Sequence, residues 1–222
     1  MSIKKNLQLI NSSLPDDITL VAVSKTKPVE VIMEAYDAGH YIFGENKIQE
    51  MVDKYENLPK DIQWHMIGHV QSNKVKYMAS FVHMIHGVDS LKLLKEINKQ
   101  AKKHQRVIEC LFQIKIAKEE SKFGMTVEEI STIIDSISFM ELENIKIVGV
   151  MGMATFTDNQ DQIKEEFLKL KSNFDHLKTF QSKNYSLSII SMGMSADYHL
   201  AIDCGSTMVR IGSHIFGERN YN

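Results

Sequence analysis

What most limits how this chain can fold is an alternation that recurs eight times. Short β-branched or aromatic runs are each followed by a polar or glycine-containing turn, and then by apolar residues at helical spacing. The runs read as strands at 19–25, 41–46, 62–68, 83–89, 107–117, 145–155, 186–195 and 208–217. Their near-continuous apolar character suits a parallel sheet covered on both faces. The helices carry their own punctuation. Pro28 suits the first turn of a helix over 28–39 and Gly39 its end. Ser90 is placed to cap the helix after the fourth strand, and Thr126 with Glu129 forms a capping box after the fifth. Eight strand–helix units predict a (β/α)₈ TIM barrel, one domain over 1–222. A doubly wound open sheet is the alternative. It carries a glycine-rich turn after its first strand, and no glycine follows the strand here.

Charge and composition narrow the function. A net charge of −2 on 222 residues leaves no basic footprint for nucleic acid. No apolar run approaches a transmembrane span, and the first 13 residues hold no signal-like segment. A cytoplasmic protein without membrane contact is expected. The two cysteines, Cys110 and Cys204, form no Cys-x-x-Cys pair and read as buried reduced thiols. The thirteen methionines read as flexible core filler.

In a (β/α)₈ barrel the active site forms at the C-terminal ends of the strands. The polar groups gathered there are Ser24 and Lys25, Glu45 and Asn46, His69, Asp89, Thr155, the stretch 191–195 and the stretch 210–213. Lys25 closes an apolar approach in "AVSKTKP" (22–28). A lysine partly desolvated there keeps some free amine, which condenses with aldehydes. Lys27 lies in the turn and reads as solvated. "SMGMS" (191–195) and "GSTMVRIGS" (205–213) place small residues where strands end and helices begin. Barrels commonly bind phosphate between the last two strands with such backbone N–H groups. Gly212 allows close approach, and Ser195 and Ser213 add hydroxyls. A lysine, a phosphate cup and Arg210 together suit pyridoxal 5′-phosphate (PLP).

The sequence resembles the pyridoxal phosphate homeostasis protein family along essentially its whole length. The resemblance rests on "AVSKTKP" (22–28), "FGENKIQE" (43–50), "WHMIGHVQSNK" (64–74), "SKFGM" (121–125), "GVMGMAT" (149–155), "SMGMSADY" (191–198) and "GSTMVRIGSHIFGER" (205–219). It implies a barrel like the N-terminal domain of alanine racemase and PLP held covalently, as an aldimine, on Lys25. It also implies a phosphate cup of Ser195, Gly212 and Ser213 with Met194 supplying backbone, Arg210 at the pyridine nitrogen, and Asn46 at the pocket wall. Two positions depart from the family pattern: His69 stands where Pro is common after Gly68, and His199 where Glu is common.

An arginine cannot accept a proton, so it leaves the ring nitrogen unprotonated and the ring a poor electron sink. Alanine racemase adds a tyrosine from a further domain of the partner subunit, and no room for that domain is expected after 217. The reading is therefore a protein that holds PLP without efficient turnover, passes it to PLP-dependent apo-enzymes and works as a monomer. A PLP-dependent amino-acid racemase is the alternative, and a cofactor-free aldolase-like barrel using Lys25 is a third. His65 and His69 have the spacing of a zinc-protease pair, but Met66 stands where the glutamate belongs, so they read as core or supporting histidines.

Overall fold

The computed structural model describes residues 2–118 and 123–217. Eight strands close a barrel in sequence order. They are β1 (Thr19–Val23), β2 (Ile42–Glu45), β3 (Gln63–Met66), β4 (Met84–Val88), β5 (Ile108–Gln113), β6 (Ile145–Met151), β7 (Tyr185–Met194) and β8 (Met208–Ile211). All neighbours pair in parallel. The closure is explicit in β1, where Ala22 pairs with Phe43 on one side and Ile211 on the other. The barrel reading therefore holds and the open sheet is excluded.

Around the barrel run α1 (Ile3–Ser13), α2 (Val29–Asp37), α3 (Ile48–Asn57), a 3₁₀ turn (Ser72–Tyr77), α4 (Leu91–Lys103), α5 (Val127–Ile134), α6 (Ile137–Met140), α7 (Gln160–Leu177), α8 (Tyr198–Asp203) and α9 (Ser213–Phe216). The caps form as the sequence suggested. The Ser90 hydroxyl accepts from the Leu93 amide at 3.3 Å. Thr126 and Glu129 bond reciprocally at 3.2 and 2.8 Å. The amphipathic logic shows in α4, whose buried Leu93, Leu94, Ile97 and Ala101 recur at helical spacing.

Two hydrophobic clusters follow from the strand alternation. Residues such as Phe43, Trp64, Cys110, Phe112 and Val209 point outward and pack under the helices. Val21, Met84, Leu111, Val148, Met151 and Met208 form a smaller cluster inside the barrel. Both cysteines are free and buried.

The structure differs from the sequence reading in three places. The strands stop earlier than their apolar runs: β1 ends at Val23, β3 at Met66 and β8 at Ile211. Past these ends the ladder adds only single bonds, such as the Ser24 amide on the Gly44 carbonyl at 3.1 Å, and the chain turns over the mouth. The segment 72–77 makes a 3₁₀ turn in place of an α-helix. The N-terminal helix α1 precedes the strand–helix alternation and lies outside that reading, although Ile3, Leu7 and Ile10 recur on one face. It docks beside the last helix, where the Asn6 side-chain Nδ2 donates to the Ile215 carbonyl at 2.9 Å.

Candidate functional site

The C-terminal ends of the strands open into a cavity of about 870 Å³. All seven residues singled out from the sequence line it: Lys25, Asn46, Met194, Ser195, Arg210, Gly212 and Ser213. They come from four strand ends, so only closure of the barrel brings them together.

One wall is the turn after β1. Lys25 is half-buried and stands in a tight turn closed by the Lys27 amide on the Ser24 carbonyl, 3.0 Å. Thr26 within that turn has φ 63°, a left-handed conformation costly for a β-branched residue. Strain of that kind persists only where the surroundings impose it. Here Lys54, buried on α3, donates to Glu45 Oε1 at 2.7 Å, to Glu50 Oε1 at 2.6 Å and to the Ser24 carbonyl at 2.8 Å. The Ser24 hydroxyl donates to the same Glu45 oxygen at 2.6 Å, and the Thr26 amide to Glu50 at 2.5 Å. The lysine turn is thus clamped on both sides of Lys25, at the Ser24 hydroxyl and carbonyl and at the Thr26 amide. Burial pushes the Glu45 carboxyl above its ordinary value, even against the opposing pull of Lys54 and Ser24.

The floor is Arg210. Its Nη1 donates to the Ser191 carbonyl at 2.8 Å and to the Ser191 hydroxyl at 2.6 Å; its Nη2 donates to the Gly152 carbonyl at 3.2 Å. Burial pushes its pKa down to about 10, which leaves it charged at neutral pH. A guanidinium has five N–H groups, so, counting bonds to the described residues, two remain for a pocket ligand.

The opposite wall joins the end of β7 to α9. Gly193 takes φ 94°, and a β-carbon there would stand 2.6 Å from that of Ala201, so only glycine lets β7 meet α8. The Ser195 hydroxyl accepts from the Gly212 amide at 3.3 Å. The amides of Ser213 and His214 begin α9 and have no acceptor within the helix. At the rim, His69 stacks on Phe123 with centroids 4.1 Å apart and meets Asp89 at 3.2 Å. Thr155 is fixed at the mouth by Glu166, which accepts from its amide and hydroxyl at 2.6 and 2.7 Å.

The model of the alanine racemase N-terminal domain matches residues 1–220. A pyridoxal phosphate homeostasis protein of Aquifex aeolicus is 40% identical over 203 residues, covering 91% of this chain and 87% of its own. That of Haemophilus influenzae is 37% identical over 235 residues, covering 100% of this chain and 98% of its own. The chain belongs to the pyridoxal phosphate homeostasis protein family. The solved structure of the family member PipY of Synechococcus elongatus with PLP bound superposes with a TM-score of 0.88 at 31% identity, covering 97% of this chain and all of that one. An alanine racemase of Clostridium difficile superposes with a TM-score of 0.79 at 19% identity, covering this whole chain and 57% of that one. That likeness concerns the fold.

Set against the homeostasis-protein pattern, several side chains stand differently from the sequence reading. Lys27 is half-buried, and its Nζ donates to the carbonyls of Phe216 and Gly217 at 3.0 and 3.3 Å, tying the lysine turn to the end of α9. The Met194 amide, which the resemblance aimed at a phosphate, donates to Asp197 Oδ1 at 2.6 Å; its exposed side chain lines the cavity. A β-carbon on Gly212 would stand 3.1 Å from the Val23 carbonyl oxygen, so that glycine makes room for β1. His65 is the core histidine the sequence suggested, inside the barrel against His86. His199 is exposed on α8 and absent from the cavity wall. Ser121 and Lys122 of "SKFGM", and Glu218 and Arg219 at the end of the last motif, lie outside the described residues. The sequence reading missed the clamp of Lys54 and Glu50. Its signal was a lysine four residues after a glutamate, on the helix that follows the Glu45 strand.

Proposed function

We propose that this protein binds PLP reversibly in the barrel mouth and serves intracellular PLP homeostasis, in the cytoplasm and without efficient turnover. The observation that carries the reading is the meeting, in one cavity, of a clamped lysine, a buried arginine with N–H groups to spare, and an opposite wall of serine hydroxyls and backbone amides. PLP presents an aldehyde, a pyridine nitrogen and a phosphate, one for each. It supplies, when bound, a carbonyl carbon that a lysine amine captures reversibly with loss of water.

The chain's own residues then divide the work. Lys25 supplies the amine, and the clamp of Glu45, Glu50 and Lys54 holds its turn in place. Arg210 donates to the ring nitrogen and, being permanently charged, has no proton-accepting role there. Ser195, Gly212 and Ser213 hold the phosphate end, with the amides that begin α9 in place of that of Met194. Asn46 closes the side wall between the two. The family relatives and the PLP-bound PipY structure support the holding role. The same reading makes the protein a monomer that hands PLP to apo-enzymes.

Borohydride reduction of the PLP-loaded protein, then peptide mapping, tests it. The pyridoxyl group is expected on Lys25. Its recovery on Lys27 or Lys74 would remove the assignment, and racemisation of alanine at about one turnover per second or faster would favour an enzyme.

A further inference from the structure

The interior of a (β/α)₈ barrel is ordinarily filled by bulky branched apolar residues. Here four polar side chains occupy it in a row. His65 on β3 is 2% exposed, His86 on β4 and Ser191 on β7 are fully buried, and Arg210 on β8 is 4% exposed. His65 Nδ1 lies 2.9 Å from His86 Nε2, and His86 Nδ1 lies 3.0 Å from the Ser191 hydroxyl, which accepts from Arg210 at 2.6 Å. Buried polar groups cost stability unless they are paired, so such a row calls for a use.

Counting donors fixes its direction. Arg210 donates to the Ser191 hydroxyl oxygen. If Ser191 passes its own proton to His86 Nδ1, then His86 donates from Nε2 to His65 Nδ1. One group is left over, the His65 Nε2–H, and that atom has no partner among the described residues. In the opposite direction two groups are orphaned, the Ser191 hydroxyl proton and the His65 Nε2 lone pair. The first direction satisfies more groups and fixes both tautomers. Burial also holds both imidazoles neutral, His65 with a pKa of about 3 and His86 well below its ordinary value. Arg210 is then the one cation in this row. The Asp197 carboxylate on the cavity wall attracts it upward; Ser191 and Gly152 hold it down.

We infer that Ser191, backed by His86 and His65, is a positioning relay that holds the Arg210 guanidinium at the cavity floor, where it meets the ring nitrogen of bound PLP. The inference rests on the PLP reading for its last clause, and on the barrel core for the rest. None of the three lines the cavity; they act through Arg210. The relay keeps the guanidinium from turning towards Asp197 and the phosphate end of the cavity.

The test uses the full chain with ¹⁵N-labelled arginine, free and PLP-loaded. The chain has three arginines, so the spectrum is simple. In the cofactor-free protein, Arg210 is expected to show separate, slowly exchanging Nη signals. Ser191→Ala should merge them and weaken PLP binding about tenfold or more, the usual scale for a lost hydrogen bond to a charged group. It should also move the ¹⁵N shift of ring-labelled PLP. Ser191→Thr, which keeps the hydroxyl, should restore all three readouts. His86→Gln, which keeps a donor and an acceptor, guards against misfolding of the alanine variant and should retain the separate signals, whereas His86→Leu should lose them. Wild-type Nη signals and PLP affinity in folded Ser191→Ala and His86→Leu proteins would overturn the relay. Failure of the wild-type protein to bind PLP would instead overturn the functional reading, while the cofactor-free Nη signals would still report on the relay.

Discussion

Replacing Lys54 with methionine probes the clamp behind Lys25. The Lys54 side chain is 7% exposed and that of Glu45 fully buried, so the substitution leaves a carboxylate in the protein interior without its cation. It also removes the bonds to Glu50 and to the Ser24 carbonyl. Breaking a buried pair from one side costs about 3–5 kcal/mol. For a chain of this size that corresponds to a fall in Tm on the order of 10 °C. Glu50→Gln should cost far less, about 1 kcal/mol or below, because that carboxylate is 25% exposed and water can replace its partner. The double variant Lys54→Met, Glu45→Leu should regain much of the loss, since no buried charge is then stranded. The sign of the pH response is a second check. The Glu45 carboxyl is already raised by burial, and losing Lys54 raises it further. A carboxyl whose pKa is higher in the folded than in the unfolded state costs stability as pH climbs through and above its ordinary value of 4.5. The Lys54→Met protein should therefore be relatively more stable at mildly acid than at neutral pH. Urea unfolding followed by the fluorescence of Trp64, the single tryptophan, gives these values. In the same variant the turn holding Lys25 loses its anchor, so PLP should dissociate faster. A Lys54→Met protein within about 1 kcal/mol of wild type at neutral pH, with unchanged PLP loss, would refute the reasoning.

Pyridoxal, which lacks the phosphate, should bind at least a hundredfold more weakly than PLP, the value of about two charge-assisted hydrogen bonds, and absorbance titration of the cofactor-free protein measures it. Gly212→Leu should act on both ends of the cavity: its β-carbon presses on the Val23 carbonyl two residues before Lys25, so overpacking of about 1–3 kcal/mol in urea unfolding should accompany weaker PLP binding. Because His65 is held neutral down to a pKa of about 3 when folded and titrates near 6.5 when unfolded, its contribution is full above pH 6.5 and fades as pH falls towards 3. His65→Gln should flatten that acid limb in a pH series of melting temperatures.

The barrel was legible in the chain because each strand–helix unit carries local signals: apolar runs of strand length, Ser90 and Thr126 as caps, and glycine at turns. The position of Lys25 was legible for a related reason. A polar residue at the end of an apolar run marks a strand's C-terminal end, and in a closed parallel barrel all such ends share one mouth. The amphipathic spacing of Ile3, Leu7 and Ile10 in α1 is an equally local signal.

Other features depend on pairs far apart in sequence, and no local pattern encodes them. His86 and Ser191 are separated by 105 residues, and Lys27 and Phe216 by 189, yet each pair is in contact. That His65 and Arg210 share the barrel interior, in one row with His86 and Ser191, shows only in the closed sheet. That follows from strand tilt and register, which the closed sheet sets as a whole. Gly212 takes on a second role for the same reason, because what stands opposite it is Val23, brought there by the β1–β8 seam. Sequence alone determined which residues gather at the mouth; closure of the barrel decided which of their hydrogen-bonding groups remain open to a ligand.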